Sequence, residues 1–152
     1  MSNESYYIGV DVGTGSARAC LVKSDGTVIG SSTKETITYR DPHDHHIFEQ
    51  STNNIWDGIA TCIKEVLAES RIPKEAVHGI GFDATCSLAV SDMNGDPVVV
   101  TGGDDLGVVG DRNIVLWADH RAEKEAELIN STGSIVLNYV GGVMSVSSQP
   151  SR

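Results

Sequence analysis

The sequence predicts an α/β fold: a mixed sheet that opens with an antiparallel three-strand meander, to which helices are added. Three observations carry this. Residues 7–39 contain three strand-like runs separated by two tight-turn signals, Gly13-Thr14-Gly15 and Ser24-Asp25-Gly26. Residues 51–70 place apolar side chains at three- and four-residue steps, the period of a helix with one buried stripe. Residues 77–82 then return to a short apolar run of strand length.

In chain order, Tyr7–Val12 is the first strand candidate and Ala17–Lys23 the second. Asp25-Gly26 tolerates the positive φ of a tight hairpin and leads to a third strand expected over Thr27–Tyr39, rich in β-branched residues. Asp41-Pro42-His43-Asp44-His45-His46 reads as a solvated loop. Its histidines invite a metal reading, but His45 and His46 are adjacent and would point apart on regular backbone. Ser51 or Thr52 can cap the helix, whose stripe is Ile55, Ile59, Ile63, Val66 and Leu67. Trp56 and Cys62 widen that stripe, with Trp56 expected in the core, and Ile72-Pro73 closes the helix. Val77–Phe82 is a strand ended by Asp83. A hairpin turn at Met93-Asn94-Gly95-Asp96 follows, then a Gly- and Asp-rich loop over Thr101–Arg112. Asn113–Trp117 is strand-like, and a second helix is expected from Asp119 to about Asn130 with Ala122, Ala126 and Ile129 on one face and Thr132-Gly133 as its stop. Ile135–Tyr139 is apolar, and residues 147–152 form a polar end.

At 152 residues the chain is long enough for a sizeable core. Its net charge of −10 argues against nucleic acid and against an anionic membrane surface, because both are held by Lys and Arg. Cys20, Cys62 and Cys86 are scattered and form no C-x-x-C, which fits a reducing compartment and neither a disulfide framework nor a zinc site. No stretch reaches the length of a membrane span. The first six residues are polar, with no basic region followed by an apolar run, so we expect no secretory signal and a cytoplasmic location.

The chemistry concentrates in Asp11-Val12-Gly13-Thr14-Gly15-Ser16-Ala17-Arg18. A carboxylate ending an apolar strand is costly unless a cation or ligand pairs with it. The glycines allow unusual backbone angles and close approach, while the hydroxyls and consecutive N–H groups suit an anion. The Gly-Lys-Ser/Thr ending of a Walker A loop is missing, and the glycines precede a strand rather than a Rossmann helix. An ordinary Gly-rich hairpin fits the window equally. Asp83-Ala84-Thr85-Cys86 repeats the logic of strand, carboxylate and small hydroxyl residues, or is a strand exit with a capping Asp. In Trp117-Ala118-Asp119-His120-Arg121, Asp119 is either a ligand group or the cap of the next helix, with Arg121 then a surface charge.

Asp11, Gly13, Thr14 and Arg18 resemble, position by position, the Asp-x-Gly-Thr-x-x-x-Arg hairpin of the actin-like/sugar kinase superfamily. The later segments Glu49-Gln50, Asp83-Ala84-Thr85-Cys86, Trp117-x-Asp119-x-Arg121 and Gly141-Gly142-x-x-Ser145 narrow the likeness to the FGGY carbohydrate kinases, ribulokinase-like branch, over about Tyr6–Val146. The resemblance implies an RNase H-like (actin-like ATPase/sugar kinase) N-terminal domain over 1–146, incomplete, with residues 147–152 an unmatched tail. It implies ATP and Mg²⁺, with Asp11 holding the ion through water and Gly13, Thr14, Gly15 and Arg18 at the phosphates. Asp83, Thr85, Cys86, Trp117, Asp119 and Arg121 would line a sugar or polyol. The Gln-Arg-Glu sequence of glycerol-kinase-like members is absent, which points to a pentulose or pentitol such as D-ribulose. The family's catalytic base and adenosine segments have no match here, so the resemblance implies a portion of a longer kinase, inactive alone, with a homo-oligomer open to the full-length protein. Two other classes remain: a non-catalytic sugar- or partner-binding module, and an RNase H-type nuclease using Asp11, Asp83 and Asp119 with two metals.

Overall fold

The computed structural model describes residues 4–146; the polar end at 147–152 lies outside them. Within the expected 1–146 domain the chain forms two compact units. The first holds the chain up to Ile37 together with Thr52–Thr85, and the second holds Thr38–Ser51 and the chain from Cys86 onward.

The first unit follows the sequence closely. Strands β1 (Tyr6–Val12), β2 (Ser16–Lys23) and β3 (Val28–Glu35) form the antiparallel meander, helix α1 (Thr52–Ser70) follows, and β6 (Val77–Ala84) returns to lie parallel to β1. The sheet order is β3-β2-β1-β6. Gly26, at φ 88°, turns the β2–β3 hairpin as Asp-Gly predicts. The alternation of β1 sets the faces. Tyr6, Ile8, Val10 and Val12 are buried, while Tyr7, Gly9 and Asp11 face the other way. The buried face joins Ala17, Ala19 and Leu21 of β2 and Ile59, Cys62 and Val66 of α1 in one core.

Three expectations need correction here. The third strand stops at Glu35 rather than running to Tyr39. Its ladder ends because Thr36 turns its N–H to the Gly15 carbonyl (3.0 Å) and Ile37 gives its N–H to the Asn54 side chain (2.8 Å). Trp56 is 60% exposed, not core. The buried stripe of α1 is Gly58, Ile59, Cys62 and Val66, and residue 56 sits about a quarter turn away from it. Asp83 lies inside β6, which continues to Ala84.

The second unit contains a small sheet of order β4-β5-β8-β7, made from β4 (Tyr39–Arg40), β5 (Phe48–Gln50), β7 (Leu88–Ala89) and β8 (Ile114–Val115). Gly95, at φ 91°, turns the expected hairpin, which closes with a single Ser91–Pro97 bridge. Helix α2 runs Glu123–Ser131, so Asp119 is not its cap, and of its expected apolar face only Ala126 is buried while Ala122 and Ile129 are exposed. Residues 117–122 instead form a turn in which the Asp119 N–H bonds the Leu116 carbonyl (2.9 Å). Ile135–Val140 is a 3-10 helix closed by Gly141 at φ 81°. No helix among the described residues is long and apolar enough to cross a membrane.

Leu21 is fully buried at the centre of the first core. Leu21→Ala should therefore cost about 3 kcal/mol of unfolding free energy, within the usual range for such truncations, read from the shift of a urea unfolding midpoint.

Candidate functional site

In the first unit, the sheet register brings the chemistry to one face. Asp11 pairs with Arg18 on antiparallel β2 and with Asp83 on parallel β6. Partners in register project to the same side of a sheet, so all three side chains share the face opposite the core. That face is an open basin of about 560 Å³, lined among others by Asp11, Arg18, Cys20, Thr33, Gly81 and Asp83. Gly9 and Gly81 sit side by side on neighbouring strands, and a Cβ at either would meet nothing within 4 Å, so the floor is bare backbone.

Arg18 Nη1 donates to Asp11 Oδ2 at 3.1 Å, with both side chains more than half exposed. A pair this open to water is worth little for stability and is available to a ligand. Oxygen donors at a half-exposed carboxylate suit a hard cation such as Mg²⁺, which keeps most of its own waters. The Asp11 carboxylate therefore fits the water-bridged role expected of it, without stabilising the fold. Asp83 is exposed beside it, its Oδ1 accepting the Ala84 N–H at 3.0 Å.

The Gly-Thr-Gly turn departs from expectation in detail. Gly13 and Gly15 are absent from the left-handed region, so unusual backbone angles are not their purpose. A Cβ on Gly15 would meet nothing within 4 Å, and one on Gly13 only the Ser16 carbonyl at 3.6 Å. What the glycines supply is clearance. The Gly13 N–H is used inside the turn, donating to the Ser16 carbonyl at 2.9 Å, and the Gly15 and Thr14 carbonyls accept from Thr36. The turn is thus held by its own Gly13–Ser16 bond and by Thr36, which leaves the Gly13 amide already used. Thr85 closes the neighbouring segment by donating its N–H to the Val12 carbonyl at 3.1 Å.

Cys86, Trp117, Asp119 and Arg121 belong to the second unit. Cys86 is an exposed free thiol, and Trp117 is half-exposed with its backbone N–H on the Ser87 hydroxyl (3.2 Å). Asp119 and Arg121 behave differently from a solvent-facing sugar contact, from a helix cap and from a surface charge. The Asp119 side chain is buried and its Oδ2 accepts the Phe48 N–H at 2.8 Å. Arg121 grips it in a fork, Nε to Oδ1 (2.9 Å) and Nη2 to Oδ2 (2.7 Å). The same guanidinium reaches Glu49 Oε1 (2.9 Å) and the Val100 carbonyl (2.9 Å), and Thr101 Oγ1 donates to Glu49 Oε2 (2.8 Å). Glu49 is only 1% exposed, and its burial was invisible in sequence beyond its place in the Glu-Gln segment. One cation therefore satisfies two buried carboxylates and ties β5, the loop at residues 100–101 and the turn before α2 together. These two residues position the segment that carries Trp117.

Burial opposes the Asp119 charge, but the Arg121 fork and the Phe48 N–H outweigh it and hold the carboxyl below its usual range. With both oxygens committed, Asp119 is no free metal ligand, which removes one of the three carboxylates the nuclease alternative needs.

Truncating Arg121 leaves two buried carboxylates uncompensated, so Arg121→Met should cost about 3–5 kcal/mol by urea unfolding at pH 7. Because the folded Asp119 pKa lies below the unfolded value of about 3.9, its contribution is present above that value and fades as pH falls through the lowered one. Unfolding free energy measured from pH 5 downward should drop in the native protein, with a shallower drop in Asp119→Asn.

Comparison with known proteins places the arrangement. The family model described as the N-terminal domain of the FGGY family of carbohydrate kinases matches residues 6–141. A D-ribulokinase of Saccharomyces cerevisiae is 45% identical over 141 residues, spanning 93% of this chain and 19% of the relative. A human FGGY carbohydrate kinase domain-containing protein is 42% identical over 146 residues, spanning 96% of this chain and 25% of the relative. The chain thus spans a fifth to a quarter of the length of these curated relatives. Among solved structures, a "xyloylose kinase" from Brucella ovis superposes with a TM-score of 0.73 at 21% identity, covering 91% of this chain and 25% of that one. At that identity the likeness shows the fold, the actin-like fold of sugar kinases, as expected.

Proposed function

The chain belongs to the FGGY family of carbohydrate kinases, and from that we propose that it is the N-terminal part of an ATP-dependent kinase acting on a hydroxyl of a pentulose or pentitol of the D-ribulose type. The observation that carries the proposal is the register of β1, which lines Asp11, Arg18 and Asp83 on one open face.

In this reading Mg²⁺, held through water by Asp11, would supply charge neutralisation for the transferring phosphoryl group. Arg18 sits 3.1 Å from Asp11 and would bring a second positive charge to the phosphate oxygens, with Gly13, Thr14 and Gly15 proposed beside it from the family's hairpin pattern. In transfer, the acceptor hydroxyl oxygen bonds the γ-phosphorus, the bond to the bridging β–γ oxygen breaks, and the hydroxyl proton passes to a base. Asp83 and Thr85 of the first unit are proposed to face the sugar; within the second unit, Asp119 and Arg121 fix the turn behind Trp117. The similarity to a D-ribulokinase and the absence of a Gln-Arg-Glu sequence after the β6 strand both favour a five-carbon substrate over glycerol. No residue of this chain corresponds to the family's base, so the 152-residue chain alone is proposed to bind without turnover.

Calorimetric titration with D-ribulose, ribitol and glycerol, paired with an ADP-release assay, tests this. Heat from D-ribulose or ribitol exceeding that from glycerol, with no ADP above background, is the expected outcome. Preference for glycerol would overturn the substrate class, and phosphorylation of a pentulose at an ordinary enzyme rate would overturn the inactivity.

A further inference from the structure

The loop before β5 is more organised than its sequence implies. Asp41 Oδ1 accepts the N–H groups of His43 (2.7 Å) and Asp44 (3.0 Å). Asp44 Oδ1 accepts the His46 N–H (3.0 Å) and lies 2.8 Å from His46 Nδ1, and the Asp44 carbonyl accepts the Ile47 N–H (3.2 Å). The His46 carbonyl is anchored in turn by the His120 N–H at 2.9 Å. On this turned backbone the adjacent imidazoles do not diverge as they would on a strand. The His45 and His46 rings lie side by side in a tilted pair, centroids 4.2 Å apart and planes at 34°.

We propose that Asp44, His45 and His46 form a binding site for a divalent transition-metal ion of the zinc class, separate from the Asp11 basin. One donor atom from each of the three residues lies within 4.8 Å of the other two. Ligands about 2.1 Å from a shared ion lie no more than about 4.2 Å apart, so small side-chain rotations close the set. The donor types decide the ion: two imidazoles and a carboxylate select zinc, copper or nickel over magnesium and calcium, which prefer oxygen alone. The Asp44–His46 contact at 2.8 Å already holds a carboxylate oxygen beside an imidazole nitrogen. The Asp44 and His46 side chains are 49% and 43% exposed, which leaves coordination positions for water and a path for entry. His120, Glu123 and Lys124 line the same depression as Asp44 and His46. Such an ion would clip the loop to the turn that precedes α2, since His46 and His120 are already joined by backbone.

The test is calorimetric titration of the 152-residue protein with zinc chloride at pH 7.5 in excess Mg²⁺, with circular dichroism confirming that each variant is folded. About one equivalent should bind. His45→Ala and His46→Ala should each weaken binding at least about tenfold, the usual effect of losing a ligand or its orienting group. His43→Ala, outside the cluster, should leave affinity within about twofold, and Cys86→Ser should retain it, so that thiols are not the donors. The site is overturned if the native protein retains no zinc, if His45→Ala and His46→Ala bind as the native protein does, or if Cys86→Ser alone abolishes binding. These side chains are exposed, so substitution leaves the core untouched.

Discussion

Strand β1 pairs with β2 in the antiparallel sense and with β6 in the parallel sense, and the first unit depends on that double register. It sends Ile8, Val10 and Val12 into the core under α1 and Asp11 to the opposite face. A slip of one residue would exchange the faces, burying Asp11 and exposing the apolar set, so the hydrophobic core itself fixes where the carboxylate points. The same register sets Arg18 and Asp83 on either side of Asp11. Glycines on the strand floor then keep the basin open. Packing and site are one arrangement seen from two sides of the sheet.

The second unit solves a different problem. Its strands are two or three residues long and bury little on their own. Order there rests on Arg121, whose five donors suit a forked grip on Asp119 with capacity left for Glu49 and a carbonyl. Buried charges are seldom the cheapest way to hold a fold, since apolar residues of equal size often do as well. What the ion cluster adds is direction: it fixes the chain leading out of Trp117, at the cost of tolerating no truncation.

The first unit was legible because local signals agreed with one another. Alternation in Tyr6–Val12, Asp25-Gly26 at the hairpin and the helical stripe of residues 55–67 all named elements the structure contains. Errors arose where side chains outvoted periodicity. Trp56 looked like core because it is large and near the stripe, yet a quarter turn places it in water. The third strand looked long because β-branched residues continue to Thr38, but Thr36 and Asn54 divert the backbone. Asp119 looked like a helix cap because Asp commonly is one; its partner Phe48, and the Glu49 with which it shares Arg121, lie some seventy residues earlier, beyond any local pattern. Likewise His45 and His46 were expected to diverge on regular backbone, and only the turns built by Asp41 and Asp44 bring their rings together. Of the site, the Asp11 hairpin was readable and the division of labour around Trp117 was not.

We propose that the part of the open face carrying Asp11 and Arg18 is a phosphate-handling surface. The most direct measurement is an amide NMR titration of the isotopically labelled chain with Mg²⁺-ATP. Shifts concentrated in Gly9–Arg18 are expected, and they should be lost when Asp11→Asn is titrated in the same way. A folded protein whose shifts fall elsewhere, or are unchanged by Asp11→Asn, would contradict it.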